Sequence, residues 1–431
     1  MTEPRPAGAL ASQRWLRIIP VAVVMYTISY VDRTNISLAL PAISHQLGMD
    51  PQQAGSAAGV FFWGYMVLQI PGGYLARRWS AKRLIGSLLV LWGICAVAGG
   101  LVQTQRQLWM TRLLLGVTEG GVFPATLVLL THWFAKAERA QANAYWMLCQ
   151  PLAIILSAPV SGWILGRWNW RVLLVAEGAL PFLWLIVWLL CIDDHPGQAR
   201  WLSLEERESI VLILEREAAE HDGISHRGFL SLLFQPLAWV LIITYFLLNC
   251  GGYGFLFWLP SAIARAGKFS SLTIGLLYSA PYVTAGLMMV LNSWHSDRAG
   301  ERGRHVALPL AVAGVCLSAA VFVNGISPAL AFALICLAGA GPYTAIAPFW
   351  ALPPERLPPQ AVGPAVGLIN ALASLGGYVG PLVVGALNKR FGDFRYAFVA
   401  LSAGLLVAAG LALVAARSSP QRRRDTEHDR R

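Results

Sequence analysis

The apolar residues of this chain fall in long blocks separated by short polar gaps. About 20 consecutive apolar residues cross a bilayer as a helix, whereas a barrel strand needs only about ten in alternation. Twelve blocks of helical length can be read, here called spans 1 to 12, with cores near 16–41, 53–76, 84–104, 107–135, 141–166, 172–192, 236–258, 272–294, 306–326, 328–352, 361–385 and 396–416. The longest break, 193–236, divides them six and six. The pattern predicts an all-α polytopic membrane protein with twelve transmembrane helices in two pseudo-repeated six-helix bundles. The bundles are 1–192 and 236–416, joined by a cytoplasmic central loop, 193–235, and followed by a basic cytoplasmic tail, 417–431.

Within the central break, Ser203 and Glu206 have the spacing of a capping box and open a charged helix reaching Glu220. Its apolar run, 210–214, is too short to span, so this is expected to be a surface helix. The tail beyond Arg417 is polar and expected to be disordered. Gly73 to Arg78 after span 2 and Ser293 to Arg298 after span 8 put a small residue and then charges at matching points, 220 positions apart. Internal repetition of this kind is a habit of secondary transporters, which place their substrate site between the repeats. Any basic loop looks somewhat alike, which is the plainer alternative.

Composition agrees: among 431 residues, 56% are hydrophobic and 13% are charged. Soluble domains carry roughly 25% charged residues, so the chain lacks the means to cover a wet surface. The net charge of +11 does not point to nucleic acid, since there is no finger spacing and no basic stripe interleaved with stacking aromatics. The positive charges lie between the spans. With the N-terminus inside, 23 Lys and Arg fall on the cytoplasmic side and 8 on the other, which predicts that both termini are cytoplasmic. No cleavable signal peptide is expected, because the first apolar stretch is of span length and lacks a small-residue cleavage site. Cys95, Cys149, Cys191, Cys250, Cys316 and Cys336 all fall in apolar blocks at no metal-ligand spacing and read as small buried hydrophobes.

Four ionisable residues inside spans contradict the apolar pattern: Asp32 and Arg33 in span 1, and Arg112 and Glu119 in span 4. Each costs roughly 2.5–3.5 kcal/mol on insertion, so four left facing lipid would cost on the order of 10–14 kcal/mol. They must pair or face a water-filled cavity. Arg112, Gly116 and Glu119 share one face of span 4. Tyr26, Tyr30, Arg33 and Ser37 form one stripe of span 1, with Asp32 about 100° off it, toward a neighbouring helix. A fold-locking ion pair between spans 1 and 4 is the plainer alternative to a transport role.

Weaker polar stripes are Phe62, Tyr65 and Gln69 on span 2, Tyr245, Asn249 and Tyr253 on span 7, and Asn370, Ser374 and Tyr378 on span 11. Each also reads as ordinary hydrogen bonding between helices. Glu177, at the start of span 6, is expected to be solvated near the outer surface. His132 and His295 lie near helix ends and read as interfacial. Gly116, Gly120, Gly376, Gly377 and Gly380 near Pro381 suit close packing or bending. No Walker, HExxH or GxSxG motif occurs, and no GxGxxG follows a strand. Neither an ATP-driven pump nor an enzyme is therefore expected, and no metal or cofactor.

These residues resemble the major facilitator superfamily and, within it, the anion:cation symporter family. The matches run along nearly the whole membrane region. They are Tyr30-Val-Asp32-Arg33-Thr-Asn35, Trp63-Gly-Tyr65, Gln69-Ile-Pro71-Gly72-Gly73, and Arg112 through Gly116 and Glu119 to Pro124. Trp133-Phe134, Glu138-Arg139-Ala140, Pro159-Val-Ser-Gly162-Trp163, Phe257-Trp258-Leu259-Pro260, Ser296-Asp297-Arg298 and Asn370 ahead of Gly376-Gly377 follow in order. The resemblance implies proton-coupled uptake of a small organic anion across a bacterial inner membrane. By similarity, Arg33 holds the anionic group with Tyr30, Tyr65 and Asn370, and Trp350 matches a pocket tryptophan. Tyr245 and Asn249 on the span 7 stripe join this set. Asp32 and Glu119 match the proton-coupling carboxylates, with Arg112 pairing with them. Arg77, Asp297 and Arg298 match the conformational gate. A monomer is expected to suffice.

Two departures stand out. Arg77 occupies the position of the superfamily's loop Asp, and Ser80 that of a Gly, which puts the ion-pair lock of that half in doubt. Ala347-Pro348-Phe349 before Trp350, and Tyr245 where an amide is common, suggest a drier pocket than a polyol needs. The reading favours a hydroxyl-poor anion, aromatic or small and sulfonated, such as sulfoacetate. An exporter or exchanger on the same fold, and a membrane sensor without transport, are the rival functions.

Overall fold

The computed structural model describes residues 12–219, 235–357 and 359–417, and every regular element among them is a helix. Eleven helices are long and apolar enough to cross a membrane: Gln13–Leu47, Ala81–Gly99, Gln105–Trp133, Lys136–Arg167, Trp170–Cys191, Pro236–Ala266, Ser271–Ala299, Gly303–Val323, Pro328–Arg356, Ala365–Phe391 and Phe394–Arg417. Span 2, Pro51–Gly59 with Phe61–Arg78, is less apolar, since Gln69, Pro71, Arg77, Arg78 and its glycines dilute it. With it, the chain forms twelve membrane helices in two bundles of six. The expected central helix is Leu204–Ala219, capped as predicted: the Glu206 N–H donates to Ser203 Oγ at 3.3 Å. Its expected last residue, Glu220, and the tail beyond Arg417 lie outside the described residues.

Six spans are each interrupted at a single residue: Asn35, Val60, Gly121, Leu148, Ala179 and Leu375. Five of these, in spans 1, 2, 4, 5 and 11, stand beside the cavity described below. At each of the six the backbone stays in the right-handed helical region, and the Asn35 N–H still donates to the Val31 carbonyl at 2.8 Å, so the span continues through it.

The helix ends and loops at one end of the bundle carry Arg77, Lys82, Arg139 and Arg302; this is the basic end, and the other is the far end. The halves are clamped together at the far end. Lys389 reaches Asp50 at 2.9 Å, and the Ser37 hydroxyl donates to Tyr278 at 3.1 Å. Gly59 is pressed on the span 11 backbone, where an added Cβ would stand 2.8 Å from Tyr378 Cα. Asp50 also caps span 2, and its carboxyl is held below the ordinary range by the Gln53 N–H and then by Lys389. Toward the basic end, the C-terminal half builds its own core, which includes Leu241, Val306, Phe349, Leu352, Leu405 and Ala412. The central segment lies against the N-terminal half there, with Trp201 stacked on Trp133 at 5.3 Å and Glu217 paired with Arg139 at 3.0 Å.

Spans 2 and 4 approach most closely at Gly116, where an added Cβ would run into the Phe61 carbonyl. Backbone cannot give way as a flexible side chain can. Gly116→Ala is therefore expected to lower stability by about 1–3 kcal/mol. Gly99→Ala, with open space around the added atom, is the matched control. Thermal unfolding of both purified variants checks this; equal midpoints would show that the close approach is not needed.

Candidate functional site

Near mid-membrane, two adjoining cavities of about 40 Å³ each lie where the halves meet. Spans 1, 2, 7, 10 and 11 bring Tyr30, Arg33, Tyr65, Tyr245, Asn249, Trp350 and Asn370 to their walls, so all seven residues expected to hold substrate are together. Tyr26, Phe123, Met147, Gln150 and Tyr253 line the same space and escaped that list. Tyr26 and Tyr253 were visible on polar stripes; Phe123, Met147 and Gln150 carried no signal separating them from helix packing.

The lining is rich in phenols, but these largely satisfy one another. The hydroxyls of Tyr26 and Tyr65, and of Tyr30 and Tyr253, stand 3.4 Å apart. Asn370 donates to Gln69 at 2.8 Å across the two halves, and Asn249 donates to the Ala373 carbonyl at 3.0 Å. Phe349 lies behind Tyr245, stacked at 4.7 Å, so the apolar stretch before Trp350 backs the wall rather than forming it. Trp350 meets Tyr245 edge-on at 5.0 Å.

Arg33 is the cation of this wall, 2% exposed. Its guanidinium carbon stands 4.6, 5.0 and 4.7 Å from the rings of Tyr30, Phe61 and Tyr65. Such contacts favour a desolvated cation by about 0.5–2 kcal/mol each. Arg33 Nη2 donates to Glu119 Oε2 at 3.2 Å, and Ser29 donates to the same oxygen at 2.8 Å. Glu119 is fully buried. Arg33 Nε and Glu119 Oε1 have no partner among the described residues. The pair is thus under-satisfied, and its two charges hold each other in place.

Asp32 points away from Arg33, as its position off the stripe predicted, and accepts from Trp92 of span 3 at 2.6 Å. Arg112 does not make the carboxylate pairing that the resemblance implied. Its fork donates to the main-chain carbonyls of Asp32 and Arg33, both at 3.1 Å, at the interruption of span 1. The reason is reach: the span 1 turn presents its carbonyls to Arg112, while Glu119 is taken by Arg33 and Ser29. Trp92 was missed because a lone tryptophan in an apolar block gives no signal.

Glu177 corrects another expectation. It is 5% exposed, not solvated, and accepts from Ser161 of span 5 at 2.6 Å. Two turns into span 6, it is covered by packing that composition could not reveal. At the basic end, Asp297 accepts from Arg302 at 2.6 Å, and Arg302 also reaches Glu355 at 3.0 Å, tying the span 8–9 loop to span 10. Arg298 lies over Trp294 and Arg77 is exposed. In the other half, the carboxylate at the matching loop comes from elsewhere: Asp194 accepts from the Ser80 hydroxyl and, at 2.8 Å, from the Lys82 N–H. His132 stacks on His195 at 4.2 Å, and His295 meets His305 at 2.7 Å. Among the described residues no cluster of metal-ligating side chains occurs.

Two helical bundles closing on a polar cavity at mid-membrane define a multi-pass membrane transporter rather than an enzyme. The chain belongs to the Major Facilitator Superfamily, whose family model matches residues 22–381 and 263–430. It is 32% identical to a protein of Agrobacterium vitis described as a candidate tartrate transporter, over 94% of this chain and 91% of that one. It is 30% identical to a quinolone resistance transporter of Acinetobacter baumannii, over 90% and 91%. A solved bacterial homologue of the human lysosomal transporter Spinster shares the fold, with TM-score 0.76 and 17% identity over 95% of this chain and 98% of that one.

Arg112 joins spans 1 and 4 through two charge-assisted hydrogen bonds, each worth about 1.5–3 kcal/mol. Arg112→Gln is expected to lower stability by about 3 kcal/mol or more, whether or not substrate is present. A thermal midpoint equal to that of the parent protein would show that Arg112 does not hold the interruption of span 1.

Proposed function

We propose that the protein takes up a small organic anion by proton symport across a bacterial inner membrane. Two six-helix domains, 1–192 and 236–416, rock about the cavity, with the basic end, the 193–235 loop and both termini cytoplasmic. A single chain encloses the whole cavity, so a monomer suffices. The observation that carries the reading is the buried Arg33–Glu119 pair at the cavity wall. While Glu119 is charged it occupies Arg33. A proton on Glu119 weakens that hold and frees the guanidinium fork for a carboxylate or sulfonate. Proton and anion then favour each other's binding, as symport requires. Asp32 is the second proton-coupling carboxylate, and Arg112 supports both by fixing the span 1 turn. Tyr30, Tyr65, Tyr245, Asn249, Trp350 and Asn370 shape the rest of the seat. Arg77, Asp297 and Arg298 belong to the gate at the basic end, where Asp297 acts through Arg302.

The pairing of four lining phenols with one another, and of Asn370 and Asn249 with Gln69 and a main-chain carbonyl, supports a hydroxyl-poor anion. A polyol would have to displace Tyr–Tyr and Asn–Gln bonds and leave donors bare. Aromatic faces suit a flat or small remainder. A relative in Cupriavidus necator described as a candidate sulfoacetate transporter, at 27% identity, agrees with this choice, whereas the candidate tartrate transporter is named for a hydroxylated acid. The quinolone resistance relative favours a second reading, export on the same fold.

Two measurements test the proposal. In a thermal-shift panel, benzoate-type and small sulfonated anions are expected to raise the melting temperature more than galactonate or glucarate. The reverse order would overturn the hydroxyl-poor seat. With the best anion of that panel, affinity is expected to rise about tenfold or more as pH falls and Glu119 protonates. Glu119→Gln, which resembles the neutral acid, is expected to keep binding and counterflow while losing this pH dependence and pH-driven accumulation. Undiminished pH-driven uptake by that variant in proteoliposomes would remove Glu119 from the coupling.

A further inference from the structure

On the side of span 1 away from the two adjoining substrate cavities lies a smaller cavity of about 20 Å³. Asp32, Asn35, Cys95, Thr111, Arg112 and Leu174 are among its walls. Three of these residues have a buried polar atom without a partner among the described residues: Asp32 Oδ1, Asn35 Oδ1 and Arg112 Nε. A space of about 10–15 Å³ holds one water if two to four polar groups face it. Leu174 is one turn before Glu177 on span 6, and the Asn35 side chain lies against Glu177. Glu177 spends one oxygen on Ser161, and its other, Oε2, is also without a partner.

We propose that this cavity is a water site and that Glu177, through it and Asn35, is a proton-relay partner of Asp32. The inference deepens the proton-symport reading and rests on it. Two buried carboxyls, each with one donor and one bare oxygen, cost less with a proton between them than as two anions, and in the relay Glu177 is the one that starts neutral. It stands about 10 Å along span 6 from the far-end start of that helix, between that face and Asp32. In the relay, a proton leaves Glu177 Oε2 for the water as the water passes one to Asp32 Oδ1. Glu177 becomes the carboxylate and Asp32 the neutral acid, and the reverse step restores both. Arg112 and Trp92 face the Asp32 side and favour its anion, which the Glu119 carboxylate opposes; Ser161 and Asn35 are the polar neighbours on the Glu177 side. Glu119 lies beyond Arg33, on the substrate side of span 1.

Infrared difference spectroscopy on the full chain in lipid tests this without any substrate. A neutral-acid carbonyl band is expected that shifts in heavy water and is absent from Glu177→Gln, which can keep the Ser161 bond. In Asp32→Asn the same band is expected to move and to exchange with heavy water several-fold more slowly. Should Glu177→Gln fail to fold, Ser161→Ala is expected to shift the band instead. An unchanged band in Glu177→Gln, or in Ser161→Ala, would show that Glu177 holds no such proton. A Glu177 band with the same frequency and exchange in Asp32→Asn would make it an isolated acid and overturn the relay. Failure of proton symport itself would appear elsewhere, as the absence of pH-driven anion uptake by the parent protein.

Discussion

Arg33 and Glu119 face each other at 3.2 Å in the middle of a bundle that excludes water from both. Neither charge is stable there alone, because an uncompensated buried ion costs several kcal/mol. The surroundings follow from that constraint. Three aromatic rings stand around the guanidinium, Ser29 supplies a donor to the carboxylate, and Arg112 braces the turn that carries Arg33. A pair so poorly saturated is also exchangeable. In the proposed cycle, an anion from the cavity takes the place of Glu119 once a proton cancels its charge.

Slight loosenings of the helices cluster near the site. Arg33 is two residues from the interruption at Asn35, Phe62 two from Val60, Phe123 two from Gly121, and Ser374 one from Leu375. The helices run on through these residues, whose backbone stays in the right-handed helical region. Close glycine contacts such as Gly116 on Phe61 bring the interrupted spans together without filling the cavity.

Polar saturation divides the buried groups into two sets. Four of the cavity's phenols pair with one another, and Asn370 and Asn249 with Gln69 and a main-chain carbonyl, and together they describe a wall. The carboxylates of Asp32, Glu119 and Glu177 each keep one bare oxygen and describe places where a proton can sit. That the three lie on spans 1, 4 and 6, with Arg112 between two of them, makes the N-terminal half the charged partner, while both halves supply the aromatic wall.

Apolar block length alone determined the twelve spans, and the membrane penalty on charge singled out Asp32, Arg33, Arg112 and Glu119 before any packing was known. Helical periodicity also told that Asp32 turns away from the Arg33 stripe, because a 100° step per residue is fixed by backbone geometry. Periodicity could not choose partners, since which helix faces a given stripe is settled by how the bundle packs. So only the tertiary structure decided that Arg33 takes Glu119, that Arg112 takes carbonyls, and that Trp92 takes Asp32. Glu177 shows the limit most plainly. Near the end of a span, a glutamate in water and a glutamate under a neighbouring helix look alike in sequence, and it was the fifth span, bringing Ser161, that buried it.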